Sequence, residues 1–333
     1  MANDGGRVLV TGGAGYIGAH TAKALAERGW TPIVFDNLGS GYREAVRWGP
    51  LVEGDVRDAA AVAATIREFG CEAVIHFAAL IEAGLSVGQP ERFHDVNVGG
   101  TRSVLAAMAA TDVQRLVFSS TGSFYDTSVG RPMREDDPIA PSNPYAETKV
   151  AAEGLIREAC AAGAISAVAL RYFNASGADE SGLIGEAHQP ESHLIPIAVE
   201  SALGLRPPLT VNGTDYPTPD GSCVRDYVHV GDLAEAHLAA LERTLTHADF
   251  RAFNVGTGRG YSVLEVIGEI GRVIGQPLAH EIGPRRAGDP SSVVADPSRA
   301  KAELGWTPRR SSLTQIVASA IAWRKNPKYG RFA

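Results

Sequence analysis

Arg7-Val8-Leu9-Val10-Thr11-Gly12-Gly13-Ala14-Gly15-Tyr16-Ile17-Gly18 decides how the rest of the chain is read. Val8, Leu9 and Val10 form an apolar, mostly β-branched run, the composition of a parallel strand buried on both faces. Gly12, Gly15 and Gly18 follow, and from Gly13 onward the spacing fits G-x-G-x-x-G. The period then turns helical, with Ile17, Thr21, Ala24 and Leu25 on one face. A strand, a glycine turn and a helix start together make a seat for a pyrophosphate. Glycines let backbone N–H groups come close to the anion, and a helix N-terminus favours negative charge.

Outward from this stretch, a helix over about 16–28 ends at Gly29, a suitable C-cap. Residues 31–35 read as a second strand closed by Asp36, at the distance from Gly18 where an acid accepts bonds from the two adenosine ribose hydroxyls. A carboxylate there repels a 2′-phosphate, so NAD is favoured over NADP. Residues 51–53 form a short strand, followed by Asp55, which either bonds the adenine amino group or caps the helix starting near Asp58. A strand over 73–77 ends in Phe77-Ala78-Ala79, a helix over 95–110 carries Asn97, and a strand over 114–119 ends in Ser119-Ser120-Thr121. The alternation predicts an α/β fold, a doubly wound parallel sheet with ligands at the carboxyl ends of its strands. The small residues at those ends either leave room for a cofactor or fill a packed sheet edge.

Pro144-Tyr145-Ala146-Glu147-Thr148-Lys149 is the chemical stretch. Proline suits a first helical turn, which puts Tyr145 and Lys149 one turn apart on one face. A free phenol titrates near ~10, too high for a base at neutral pH, and a neighbouring ammonium lowers that value. A tyrosine so tuned can take a proton from a sugar hydroxyl while hydride leaves the same carbon.

Composition narrows the alternatives. The chain has 333 residues, 44% hydrophobic and 21% charged, with a net charge of -7. That balance argues against a nucleic-acid binder, whose affinity rests on cationic contacts. Cys71, Cys160 and Cys223 lie far apart, which suits a reducing compartment, and no metal site is expected. A few polar residues before the first strand, and no apolar run of spanning length, lead to the expectation of a cytoplasmic protein without signal peptide or membrane partner.

Together these residues resemble the extended short-chain dehydrogenase/reductase family, and within it the UDP-glucose (UDP-galactose) 4-epimerases, over nearly the whole chain. The matching motifs are residues 10–18, Phe35-Asp36-Asn37-Leu38, Glu53-Gly54-Asp55-Val56-Arg57, Val74-Ile75-His76-Phe77-Ala78-Ala79, Asn97-Val98, Arg171-Tyr172-Phe173-Asn174, residues 224–230 and Pro284-Arg285-Arg286. The resemblance implies a Rossmann-type NAD-binding domain over 1–174 and a smaller UDP-sugar domain over 175–333. A helix–strand segment at about 229–256 is a candidate to return to the first domain.

By the same resemblance, Tyr145 is the base, Lys149 tunes it, and Thr121 bonds the reacting oxygen. Gly12, Gly15, Tyr16, Ile17, Gly18, Asp36, Asn37, Asp55, Val56, Phe77, Ala78, Ala79, Asn97, Ser119, Tyr145, Lys149 and Phe173 hold NAD. Ser123, Asn174, His193, Leu194, Thr210, Asn212, Arg225, Arg286, Asp289 and Val293 join Thr121 and Tyr145 around the UDP-sugar. The arginines suit a diphosphate, which calls for planar cationic donors, although Arg225 beside Asp226 could equally be a salt bridge. The implied reaction removes hydride from C4, lets the 4-keto sugar rotate and returns the hydride to its other face. A homodimer joined through helices 95–110 and 144–162 is also implied.

Four departures from the family pattern stand out: Gly122-Ser123-Phe124 with Asp126 after Tyr125, Leu85 in place of an acid, Ala287 in place of a glutamate, and Val293 where a bulky tyrosine would exclude an N-acetyl group. Val293 therefore leads to the expectation that UDP-GlcNAc and UDP-GalNAc are accepted too. Competing functions are a UDP-pentose 4-epimerase, a nucleotide-sugar 4,6-dehydratase and a non-catalytic NAD sensor. The dehydratases carry an Asp-Glu pair where this chain has Gly122 and Ser123, and sensors of this fold lose the Tyr/Lys pair that is kept here.

Overall fold

The computed structural model describes residues 5–286 and 288–330. Ala287, one of the four departures, lies outside the described residues. The first half runs β1 (Arg7–Thr11), α1 (Tyr16–Glu27), β2 (Thr31–Asp36), β3 (Leu51–Glu53), α2 (Ala59–Phe69), β4 (Ala73–His76), α3 (Ala83–Gly88), α4 (Pro90–His94), α5 (Gly100–Ala109), β5 (Arg115–Thr121), α6 (Pro144–Ala161) and β6 (Ser166–Tyr172). After it come β7 (Asn174–Ser176), α7 (Leu194–Ala202), β8 (Leu209–Asn212), β9 (Val224–His229), α8 (Val230–Thr244), β10 (Phe250–Val255), β11 (Gly260–Ser262) and α9 (Val263–Ile274). The chain ends through β12 (His280–Gly283), β13 (Ser292–Val293), α10 (Ser298–Glu303) and α11 (Leu313–Lys325).

Seven parallel strands form the main sheet, in the order β10-β6-β5-β4-β1-β2-β3. The pleat on β1 explains its apolar run. Leu9 faces the layer built with Val62 and Ile66 of α2, Val104 of α5 and Ile156 of α6. Val8 and Val10 face the opposite layer, with Leu25 of α1 and Leu233 and Leu241 of α8. From β1 the chain winds one way through β2 and β3 and the other way through β4 to β6. The switch point, and its crevice, therefore lie beyond the carboxyl ends of β1 and β4. α8 and β10 belong to this layered body, since β10 pairs with β6 along its whole length.

A smaller sheet combines β11, β9, β13 and β7, and β12 pairs with β8. Its core packs Ile195 and Val199 of α7, Ile267 and Ile270 of α9 and Ile316 and Val317 of α11. A Ser262–Glu265 capping box starts α9. Among the described residues no helix is long and apolar enough to cross a membrane.

One element differs from its expectation. The helix expected over 95–110 begins earlier, at Pro90, and is interrupted by a π turn over Asp95–Gly99 before α5 starts. The wider turn swings Asn97 inward. Its side chain accepts from Leu80 N at 2.8 Å and donates to Leu80 O at 3.0 Å and to Thr148 Oγ1 at 2.9 Å. Asn97 thus ties the loop after β4 to the helix that carries Tyr145.

Candidate active site

The glycine turn is shaped by contacts that leave no space for side chains. A Cβ on Gly12, at φ +72°, would lie 2.6 Å from Ala78 N, and one on Gly18 would lie 2.3 Å from Gly12 O. Gly15 caps α1 without a side-chain hydrogen bond, so no cap side chain takes up the amides of the first helical turn. Asp36 closes the other side. Its carboxylate accepts from Ala14 N at 2.9 Å and from Leu38 N at 2.8 Å, while burial raises its pKa. A close-approach cradle, unpaired first-turn amides and a ribose-facing acid fit NAD. Among the other expected NAD residues, Asp55 is held down to about 2 by hydrogen bonds with Arg57. Asn37 accepts from Gly39 N at 2.9 Å, and Tyr16 turns its hydroxyl onto Gly177 O at 2.6 Å. Ile17 and Phe77 pack against one core layer, and the buried Val56 belongs to the other.

α6 presents the chemical pair. Asn143 caps it by accepting from Ala146 N at 3.0 Å, and Pro144 opens its first turn. Tyr145 N donates to Ser86 Oγ at 3.1 Å, and the phenol lies near enough to Thr121, at the end of β5, for that hydroxyl to lower its pKa. Thr121 also meets Ser123, whose hydroxyl lies 3.0 Å from its own.

Lys149 is arranged differently from the expectation. Its ammonium is buried, donates to the Ser119 carbonyl at 2.9 Å and lies 5.0 Å from the centre of the Phe118 ring. Burial pulls it down to about 8. Tyr145 is pushed up to about 12 by burial, with the neighbouring Thr121 hydroxyl lowering it and the Glu82 carboxylate raising it. The lowered phenol read from the sequence is therefore not a property of the protein alone, because the ammonium is committed to the strand end instead of the phenol oxygen.

Sequence reasoning missed a buried network behind Thr121. Glu153, one helical turn beyond Lys149, accepts from Ser120 Oγ at 2.5 Å and from Arg171 Nε at 3.0 Å and Nη2 at 2.6 Å. Arg171 also donates to the Tyr125 hydroxyl at 2.8 Å, and Tyr125 donates to Asn254 Oδ1 at 2.7 Å. The i, i+4 spacing of Lys149 and Glu153 was the available signal. The loop 122–126 is fixed by this network and by Phe173, whose ring would be 2.7 Å from a Cβ on Gly122.

The expected nucleotide residues are brought together. Asn174, His193, Leu194, Thr210, Asn212, Arg225, Arg286 and Asp289 all line one cavity of about 240 Å³ in the smaller body. Arg225 pairs there with Asp289 at 2.8 Å. The alternative partner, Asp226, is buried and accepts instead from Thr257, Gly258 and Ala295 amides. Val293 is not part of that lining. It packs with Phe124, Phe173 and Ala146, beside Tyr145.

Comparison with known proteins agrees with this geometry. Residues 8–256 match the model of the NAD dependent epimerase/dehydratase family. The chain is 47% identical over 319 residues to a UDP-glucose 4-epimerase of Rhizobium leguminosarum bv. trifolii, covering 96% of this chain and 97% of that protein. It superposes on a UDP-glucose 4-epimerase from Brucella ovis in complex with NAD with a TM-score of 0.91 and 46% identity, covering 95% of this chain and 97% of that one. A UDP-glucose-4-epimerase from Stenotrophomonas maltophila, with bound NAD and formylated UDP-arabinopyranose, gives a TM-score of 0.93 at 39% identity, covering 96% and 98%.

Proposed function

From the premise that the chain belongs to the NAD dependent epimerase/dehydratase family, we propose how its own residues carry out the reaction. The protein is an NAD-dependent isomerase, a 4-epimerase of UDP-hexoses. NAD, when bound, would supply the acceptor and donor for the C4 hydrogen. Gly12, Gly15, Gly18 and Asp36 hold its dinucleotide. Tyr145 takes the proton of the C4 hydroxyl and later returns it, and Thr121 fixes the oxygen that loses it. Lys149 braces the end of β5, so that Thr121 and the phenol meet. The cavity around Arg225, Arg286 and His193 anchors the diphosphate, which leaves the hexose free to turn over. Proximity of phenol, sugar carbon and dinucleotide seat supplies much of the rate.

The observation that carries this reading is the placement of Tyr145, at the start of α6, beside Thr121 at the carboxyl end of β5, across β4 from the glycine cradle. A dehydratase is disfavoured, since an acid at position 122 would drive its Cβ into the Phe173 ring. The small side chain of Val293, packed with Ala146 of the helix that carries Tyr145, supports acceptance of N-acetylhexosamines alongside hexoses. The exposed Arg102, Ala106, Ala151 and Glu158 on α5 and α6 support a homodimer through that face, and a protein of this composition suits the cytoplasm. The test is a panel of UDP-sugars with chromatographic resolution of 4-epimers. UDP-glucose and UDP-galactose interconvert, as do UDP-GlcNAc and UDP-GalNAc. Loss of water from the sugar, or no product at all, contradicts the reading.

A further inference from the structure

Residues 186–193 carry Glu-Ala-His-Gln-Pro-Glu-Ser-His, which places two glutamates and two histidines on one loop. Their ligating atoms converge, with the four of Glu186, His188, Glu191 and His193 all within 4.8 Å of one another. His193 Nδ1 lies 2.8 Å from Glu186 Oε1 and 3.0 Å from Glu191 Oε1, and His188 Nδ1 lies 3.1 Å from the same Glu186 oxygen. Both carboxylates are buried, at 4% and 6% exposure. Burying two like charges in one place is costly unless cations or donors gather around them.

The surroundings are organised as the support of a fixed site. Glu191 accepts from Ser192 N at 2.9 Å and from His193 N at 3.0 Å through one oxygen, and from Arg324 at 2.8 Å through the other. The His188 ring meets the Tyr16 ring edge-on at 6.2 Å between centres. Such partners orient ligand groups and fix which atoms point inward. Two imidazole nitrogens and two carboxylate oxygens match the donor set of zinc in a tetrahedral site, whose ligand atoms sit about 3.4 Å apart at bond lengths near ~2.1 Å. To admit the ion, the three separations of 2.8 to 3.1 Å open by a few tenths of an ångström and the wider ones, which reach no further than 4.8 Å, close toward it.

We propose that Glu186, His188, Glu191 and His193 form a binding site for one divalent transition-metal ion, Zn²⁺ by its donor set. The ion takes the place of the direct contacts that His193 makes with Glu186 and Glu191 and that His188 makes with Glu186. It clamps the loop before α7 and fixes the imidazole of His193, which also lines the cavity assigned to the nucleotide. The site holds none of the catalytic residues and meets the glycine turn through the His188–Tyr16 ring contact, and its existence does not depend on the epimerase reading.

The test uses the full-length protein, stripped with chelator and titrated with Zn²⁺ alone and with Mg²⁺ alone, with bound metal counted by elemental analysis. One Zn²⁺ per chain is expected, with no stoichiometric Mg²⁺. The Zn²⁺-loaded protein melts at a higher temperature than the stripped protein. His188→Ala, at a half-buried side chain, and Glu186→Gln each weaken Zn²⁺ binding at least ~10-fold. X-ray absorption of the loaded wild type shows nitrogen and oxygen ligands, a readout that does not depend on either variant folding. Absence of stoichiometric Zn²⁺, uptake that survives both substitutions, or sulfur ligation from a cysteine overturns the proposal and leaves four groups held by their mutual hydrogen bonds alone.

Discussion

The ammonium of Lys149 donates to the backbone carbonyl of Ser119 across 2.9 Å, and both lie under the end of the strand that carries Thr121. This bond joins α6 to β5 at the place where the phenol and the threonine hydroxyl meet. The lysine is thereby part of the frame of the site as well as a charge within it.

A buried lysine held near 8 makes folding pH-dependent. Between about 8 and an unfolded value near 10.5, the unfolded chain binds the extra proton. The contribution is fully present above the unfolded value and is lost as pH falls through the folded one. Denaturant midpoints should therefore rise from pH 8 to 10 in the wild type relative to Lys149→Met, by roughly 3 kcal/mol at full extent. Parallel curves for the two proteins would contradict the placement of the ammonium.

His237 gives the acid counterpart. It is fully buried, its Nδ1 lies 2.8 Å from Leu233 O, and burial lowers it to about 4. Stability from this residue is complete above the unfolded value near ~6.5 and is lost as pH falls toward the folded one. His237→Phe should flatten the acid side of the stability curve by roughly 3 kcal/mol, read as urea midpoints between pH 7 and 4. An unchanged slope in the variant would count against it.

Gly18 has no room for a methyl group, because its Cβ would lie 2.3 Å from the Gly12 carbonyl oxygen. Gly18→Ala should distort the turn and weaken NAD retention at least ~10-fold, about 1.4 kcal/mol. Mass spectrometry of the purified protein under native conditions, with absorbance of released cofactor, measures it. Full NAD occupancy in the variant would show that the turn is not the pyrophosphate seat.

Val293 bears on sugar choice. It packs with Phe124 and Phe173 beside the helix of Tyr145. Val293→Tyr should abolish turnover of UDP-GlcNAc while retaining that of UDP-glucose within about an order of magnitude, since a pocket discriminates strongly by exclusion and weakly by a few extra contacts. Paired kcat/KM measurements decide it. Equal losses on both sugars would place Val293 in the packing of the loop and not in specificity.

Much of the dinucleotide half was legible because its signals are local. The β1 run, the three glycines, Asp36 and the Pro144 helix start each follow from spacing and propensity within a few residues, and β3 and α1 fall where their patterns end. What escaped depends on contacts far apart in the chain. The π turn exists to bring Asn97 to Leu80 and Thr148, and no periodicity encodes it. The Lys149 ammonium chose Ser119 O over the phenol through the packing of α6 on β5, which sequence spacing along one helix does not report. Glu153 and Arg171 are 18 residues apart, and nothing in their local spacing shows that β6 and α6 bury them against each other. The Glu186–His193 cluster was likewise unread, because its convergence arises from the loop path and from Arg324 on α11.

The most direct measurement is UDP-galactose turnover by Tyr145→Phe, performed on protein shown to hold NAD to the wild-type level. Removal of the phenol hydroxyl should lower kcat by ~100-fold or more with little change in KM, the range for loss of a positioned general base. Wild-type kcat in that loaded variant would contradict the role given to Tyr145, and with it the chemistry assigned to the crevice.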